Sequence, residues 1–354
     1  MGEKIFCLGV MSGTSLDGVD IVYAVFNPKR YSEFEIVYSR TIPYASSWKN
    51  ILQKAITYND LELEELSVAY AQLLGTMLQD FIHSYHITKI DFIASHGHTI
   101  KHQPKLGYTL QIGDGQTIAN KTKIPVVCDF RSQDVALGGE GAPLVPIGDK
   151  LLFSEFDRCV NLGGFANISF ENKQKDRIAF DICPVNIVLN HYVQDLGFDF
   201  DDGGQIAAKG VLNHQLLEHL NRLDFYQKAP PKSLGLEWVQ DIVFPLIETN
   251  NFSIPSILRT FTEHAAIQIA SHIKESKHVL FTGGGVFNSF LIQRIAYHTK
   301  KQLVLPNKEL IEYKEALVFA FLGLLRMQNQ TNCLASVTGA SKDHCSGVIF
   351  YPQE

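Results

Sequence analysis

The sequence predicts an α/β protein in two domains, each a mixed sheet flanked by helices, and three observations carry that prediction. At 354 residues the chain exceeds what one hydrophobic core usually organises, so two cores are the first expectation. Ile5 to Val10 and Val19 to Phe26 are runs rich in β-branched and aromatic residues, and a Gly/Ser/Thr/Asp cluster separates them. That is the pattern of a hairpin with a long polar tip. Arg158 to Phe170 repeats it, with Gly163-Gly164 at the turn. The echo suggests an ancestral duplication, against the alternative that two hairpins resemble one another by chance.

The elements between follow the alternation of an α/β fold. Phe34 to Thr41 reads as a third strand. Leu61 to Tyr85 places Leu66, Leu73, Leu74, Leu78 and Phe81 at helical spacing, with Asn59 and Glu62 set as a capping pair. Ile90 to Ser95, Tyr108 to Ile112 and Ile124 to Phe130 read as short strands, with a helix over Gln116 to Lys121. The Gly/Pro-rich run Ser132 to Pro146 breaks the pattern and reads as the crossing into the second domain. There, Arg177 to Ile182 adds a strand, Ser256 to Ile273 a helix, and Val279 to Phe281 a buried strand. A helix ending near Ala296 follows, then one from Ile311 to Met327. The domains expected are thus 1–132 plus about 333–354, and 133–332.

Hydrophobic residues are 45% and charged residues 19%, with a formal charge of −6. No apolar run approaches the roughly 18 residues a membrane helix needs, and no basic surface for nucleic acid is expected. The N-terminus enters a strand at once, so no secretory leader is expected. The six cysteines form no Cys-x-x-Cys pair, which fits the reducing cytoplasm. Small molecules are the expected partners, and a homodimer is left open.

Three features point to chemistry. The tip from Ser12 to Gly18 combines glycines with hydroxyls in a concavity suited to phosphate oxygens; a long turn that needs these residues for geometry alone is the other reading. It is not a P-loop, since no Lys follows and the next element reads as a strand. Gly283-Gly284-Gly285, between a strand and a helix, lets a nucleotide lie flat against backbone, although a tight strand-to-helix turn also selects glycine. His96-Gly97-His98 invites a zinc reading, but neither an Asp-His at short spacing nor a Cys-x-x-Cys accompanies it. Arg131 presents a fork matched to a carboxylate or phosphate, or pairs with a neighbour such as Asp134 across the domains.

Met11-Ser12-Gly13-Thr14-Ser15-Leu16-Asp17-Gly18-Val19-Asp20 resembles the opening signature of the anhydro-N-acetylmuramic acid kinases, members of the actin, sugar-kinase and heat-shock-chaperone superfamily. Further matches run to Ala340. They include Ser95 to Thr99, Gln111 to Asp114, Asp129 to Asp134, Gly139 to Pro146, Phe180 to Asn186, Phe200 to Gly203, Pro230 to Gly235, Glu315-Ala316 and Ser336 to Ala340. The sequence departs from the family pattern at His98, where the family has Gln, at Gly203, where it has a second Asp, and at Ile182, Cys183 and Val185, where it has Thr, Gly and Gly. Val185 would be strained at φ > 0.

The resemblance implies two actin-like (ribonuclease H-like) domains with ATP and sugar in the cleft between them, closing to exclude water. The implied reaction is ATP-dependent conversion of 1,6-anhydro-N-acetylmuramic acid to N-acetylmuramic acid 6-phosphate, with hydrolytic opening of the anhydro ring, in peptidoglycan recycling. Asp181 would be the general base, its plainer reading being a solvated residue at a strand end. Gly13, Thr14, Ser15, Leu16, Asp17, Gly18, Val19 and Asp20 would wrap the β- and γ-phosphates. Gly163, Gly164 and Asn167 would approach them from the second domain, and Gly283, Gly284 and Gly285 would border the adenosine. His98, Thr99, Arg131, Asn186 and Glu315 would contact the sugar. Asp17 would hold Mg²⁺ through water, or serve only as an Asx cap. The competing readings are a metallohydrolase using His96 and His98, and a nucleotide-binding regulator whose altered Ile182 to Val185 loop has lost the sugar.

Overall fold

The computed structural model describes residues 3–13, 16–249 and 252–353. The chain divides into two compact units, Met1–Ser154 with Tyr313–Glu354, and Glu155–Glu312. In the first, β1 (Ile5–Ser12), β2 (Gly18–Phe26) and β3 (Phe34–Pro43) form an antiparallel meander, and β4 (Phe92–Gln103) pairs parallel with β1 on its other side. β5 (Tyr108–Ile112) folds back antiparallel on β4, and β6 (Val126–Cys128) continues the sheet parallel to it. Because helices cover both faces, β1 is apolar almost throughout. Leu8 and Val10 share a core with Leu66, Tyr70, Leu74 and Phe81 of the helix Asp60–Ser84. On the opposite face Gly9 admits the helix Lys308–Met327 so closely that a Cβ there would lie 2.1 Å from Ala316 O.

The second unit repeats the plan. β7 (Arg158–Leu162), β8 (Phe165–Glu171) and β9 (Arg177–Pro184) form an antiparallel meander, and β10 (Val279–Thr282) pairs parallel with β7. The echo between the two hairpins in sequence is therefore an echo in sheet order, the ribonuclease H-like arrangement implied by the resemblance. Its core joins Val160, Ile168 and Ile182 to Phe261, Ala265 and Ile269 of the helix Ile254–Ile273. The tail returns to the first unit as expected, where β11 (Val348–Phe350) pairs antiparallel with β6.

Local signals were reliable where a side chain bonds its own neighbours. Asn59 Oδ1 accepts from Glu62 N at 3.1 Å and the Glu62 carboxylate accepts from Asn59 N at 2.8 Å, a capping box that starts the helix at Asp60. Other expectations need correction. β4 runs to Gln103 instead of ending near Ser95, because β5 supplies the hydrogen-bonding partner for His98 to Gln103. The unit boundaries fall at Ser154/Glu155 and Glu312/Tyr313, not at 132 and about 333. The helix Val145–Leu152 belongs to the first unit, where Gly148 admits the Val318 side chain, Asp149 pairs with Lys314 at 2.6 Å, and Phe153 meets Phe34 edge-on at 5.5 Å. The structure adds helices that the sequence pattern does not announce, among them Ser46–Lys54, Asn186–Gln194 and His214–Asn221.

One ion cluster ties two helices of the second unit together. Glu263, only 4% exposed, accepts from Arg259 on its own helix and from Arg294 and His298 on the helix Ser289–Thr299, each at 2.7 Å. Burial pushes this carboxyl up, but the bonds from Arg294, Arg259 and His298 outweigh it and bring it to about 2. A depressed carboxyl stabilises the fold above its unfolded pKa and loses that contribution as pH falls through the folded one. Glu263→Gln is therefore expected to lower stability at pH 7 by roughly 1–3 kcal/mol, and to make the loss of stability between about pH 4.5 and 2 shallower. Urea unfolding followed across that range checks both.

Candidate functional site

In the second unit three segments converge near the end of β7: the turn between β7 and β8, the start of the helix Asn186–Gln194, and the turn after β10. Gly164 O accepts from Val185 N at 2.8 Å and Ile187 N at 3.2 Å, and Gly163 O accepts from Asn186 N at 3.3 Å. The hairpin carbonyls thus satisfy orphan donors at the start of the helix. Gly283 has φ +85°, and a Cβ there would lie 2.7 Å from Asn161 Oδ1; at Gly285 it would lie 2.8 Å from Leu162 Cβ. The fold itself demands those two glycines.

Gly284 is different. It is exposed, has no left-handed φ, and a Cβ there would meet no atom within 4 Å. Exposed Gly164 has only Ile187 Cβ, at 3.7 Å, and for Gly163 the nearest atom is Asn161 Nδ2 at 3.4 Å. Asn167 is exposed on β8 directly opposite Asp181 of β9.

Asp181 is half-buried. Its Oδ2 accepts from Leu234 N at 2.8 Å, and its own N donates to Lys232 O at 3.2 Å, so the Pro230 to Gly235 loop seats the carboxylate. Nothing among the described residues donates to Oδ1. Burial raises this carboxyl above its usual value, with the Leu234 N–H pulling the other way. The sequence of that loop matches the family but does not disclose this role, because a backbone N–H contact leaves no residue-type signature. Val185 carries φ −134° and so suffers no left-handed strain. With Ile182 and Cys183 it is fully buried in the core, so the three departures from the family pattern fill the interior behind Asp181.

In the first unit β1 runs to Ser12 and β2 begins at Gly18; Thr14 and Ser15 lie outside the described residues. Leu16, not Gly18, takes the left-handed conformation, at φ 60°. Gly18 is required for another reason: a Cβ there would lie 2.4 Å from Ile42 O on β3. Gly13 O accepts from Leu16 N at 3.4 Å. Asp17 is exposed, Val19 is fully buried opposite Ile42, and Asp20 Oδ1 accepts from Thr41 Oγ1 at 2.6 Å.

Behind this tip lies a buried polar chain. Ser12 Oγ is 2.8 Å from His98 Nδ1 and 2.6 Å from Tyr44 OH, which is 2.5 Å from Tyr70 OH. Burial brings His98 down to about 4, so it is neutral at physiological pH. Burial and the neighbouring Arg131 guanidinium hold His96 well below its usual value. Its Nε2 accepts from Arg131 Nε at 3.0 Å and Nη2 at 2.9 Å, and its Nδ1 donates to Gly97 O at 3.0 Å. With both nitrogens engaged and a cation against one of them, His96 is no metal ligand, which corrects the metallohydrolase reading.

Arg131 also donates from Nη1 to Gly141 O at 2.6 Å. It does not pair with Asp134, whose Oδ2 is taken by Gly141 N. Glu315, on the helix Lys308–Met327, keeps accessible surface; desolvation raises its carboxyl and the Arg131 charge lowers it. Thr99 Oγ1 accepts from Gln111 Nε2 at 3.4 Å. His98, Thr99, Arg131 and Glu315 thus belong to the first unit, and Asn186 to the second. No helix among the described residues is long and apolar enough to cross a membrane.

A family model described as anhydro-N-acetylmuramic acid kinase matches residues 5–352. A protein of that name from Acinetobacter baylyi is 34% identical over 374 residues, covering 97% of this chain and 98% of the relative. Others from Saccharophagus degradans and Bacillus cereus are 33% and 31% identical, each over 98% of this chain and 98% and 100% of their own length.

Proposed function

The chain belongs to the anhydro-N-acetylmuramic acid kinase family and is an ATP-dependent sugar kinase; from that premise we propose that Asp181 is the general base that opens the 1,6-anhydro ring of the sugar. The observation that carries the assignment is the Asp181 carboxylate, seated through one oxygen by Leu234 N, open at the other, and made more basic by burial. Asp181 takes a proton from a water that attacks C1, and the C1–O6 bond breaks. The freed O6 attacks the γ-phosphorus, ADP leaves, and the proton passes from Asp181 to solvent. The product is N-acetylmuramic acid 6-phosphate, a step of cell-wall recycling. General-base action supplies about 10²–10⁴-fold, and positioning with charge stabilisation by backbone amides supplies the remainder.

Gly163, Gly164 and the tip from Gly13 to Asp20 are assigned to the phosphates, and Gly283 to Gly285 to the adenosine. Open space at Gly164 and Gly284 supports this, since a fold that needs no glycine there leaves ligand approach as the reason for one. Arg131 has five N–H donors and spends three on His96 and Gly141. The two that remain suit the lactyl carboxylate of the sugar. Asp17, an exposed oxygen donor on the tip, suits a hard cation that keeps most of its waters; Mg²⁺ held there would offset phosphate charge.

Turnover in ¹⁸O-labelled water tests the reading. Product analysed promptly should carry phosphate on O6 and label at C1, with one ADP formed per sugar consumed. ADP formation indifferent to the sugar, or no measurable sugar binding, would favour the nucleotide-binding regulator instead. The pH profile adds a second check. The base acts only when ionised, so kcat/KM should fall on an acid limb lying above the ordinary aspartate value, and that limb should vanish from the residual activity of Asp181→Asn.

A further inference from the structure

Apart from the residues assigned to catalysis, three polar side chains of the first unit converge in a sealed position. Asp134 is 0% exposed, Cys333 1% and His344 6%, and one ligand atom from each lies within 4.8 Å of the others. Cys333 and His344 face one another as an isolated antiparallel bridge, each N–H donating to the other's carbonyl at 3.1 Å. Cys333 Sγ is 3.0 Å from Asp134 Oδ1, and His344 Nε2 is 3.6 Å from the same oxygen. That Nε2 is buried and makes no hydrogen bond, an orphan that buried polar atoms rarely tolerate.

We propose that Asp134, Cys333 and His344 bind one zinc ion. The charges balance: on binding, Cys333 releases its thiol proton to solvent, and thiolate plus carboxylate neutralise Zn²⁺ with the imidazole neutral. The donor set of sulphur, imidazole nitrogen and carboxylate oxygen is that of tetrahedral zinc, with a water completing the four. The surroundings already orient each ligand as outer-shell groups do. His344 Nδ1 donates to Lys342 O at 3.1 Å, which leaves the lone pair on Nε2. Thr338 Oγ1 donates to Asp134 Oδ1 and Gly141 N to Oδ2, both at 2.7 Å. The ion would clip the C-terminal tail onto the Asp134 to Gly141 loop, whose Gly141 O is the acceptor that seats Arg131.

The full chain, purified without a metal-affinity tag and equilibrated with Zn²⁺, should hold one zinc per chain by elemental analysis. Replacement with Co²⁺ should give a thiolate-to-cobalt charge-transfer band. Cys333→Ser and His344→Gln should each lose at least the roughly 10–100-fold in affinity that even outer-shell partners cost, whereas Cys345→Ser should keep the metal. Alkylation mapped by mass spectrometry covers variants that fail to fold: in the unmodified chain under mild denaturant, where the buried Cys333 is reached only by local opening, zinc should slow its alkylation relative to chelator-treated protein. Zinc-free protein after equilibration, or metal retained by both ligand variants, overturns the proposal in favour of a His344–Asp134 ion pair.

Discussion

Asp181→Asn is expected to bind ATP with unchanged affinity and to lose at least ~10²-fold in turnover. The substitution is nearly isosteric. An amide oxygen can still accept from Leu234 N, which holds the native carboxylate at 2.8 Å, so the Pro230 to Gly235 loop should stay in place. The amide cannot take a proton from water. Calorimetry with ATP and a coupled ADP assay on the same preparation separate binding from chemistry, and near-normal turnover would remove Asp181 from the mechanism. A variant in which ATP affinity fell as well would point to a structural role for the loop instead.

Gly284→Val should weaken ATP binding far more than sugar binding. The protein has room for the side chain, since a Cβ there meets nothing within 4 Å and the backbone has no left-handed φ. Stability should therefore change little, within the ~0.5 kcal/mol usual for surface sites. Any loss of affinity then reports a ligand in that open space. The neighbouring glycines would be poor probes, because a side chain at Gly283 or Gly285 strikes Asn161 or Leu162 first. ATP affinity unchanged with sugar affinity lost would reassign the glycine triplet to the sugar.

Which glycines matter to a ligand was not legible in sequence. Gly283, Gly284 and Gly285 read alike as letters, yet two are demanded by contact with β7 and one is not. Gly18 owes its place to the close passage of Ile42 on β3, while Leu16 carries the left-handed turn. The pairing of Arg131 was likewise open between Asp134 and other partners. It was decided by His96, 35 positions away, whose Nε2 lies against the guanidinium.

By itself the sequence determined the α/β class, the two hairpins, the capped helix at Asn59 and the family to which the chain belongs. Those rest on periodicity, turn chemistry and contiguous motifs, and all of them act between residues near one another along the chain. Only the tertiary structure decided where the units divide, since the helix Lys308–Met327 packs against Gly9 and Gly148 through contacts more than 150 residues apart. It also decided which atoms of Asp181 and His96 are free and which are occupied. Burial and hydrogen bonding set those states, and both depend on what the folded chain brings up from elsewhere.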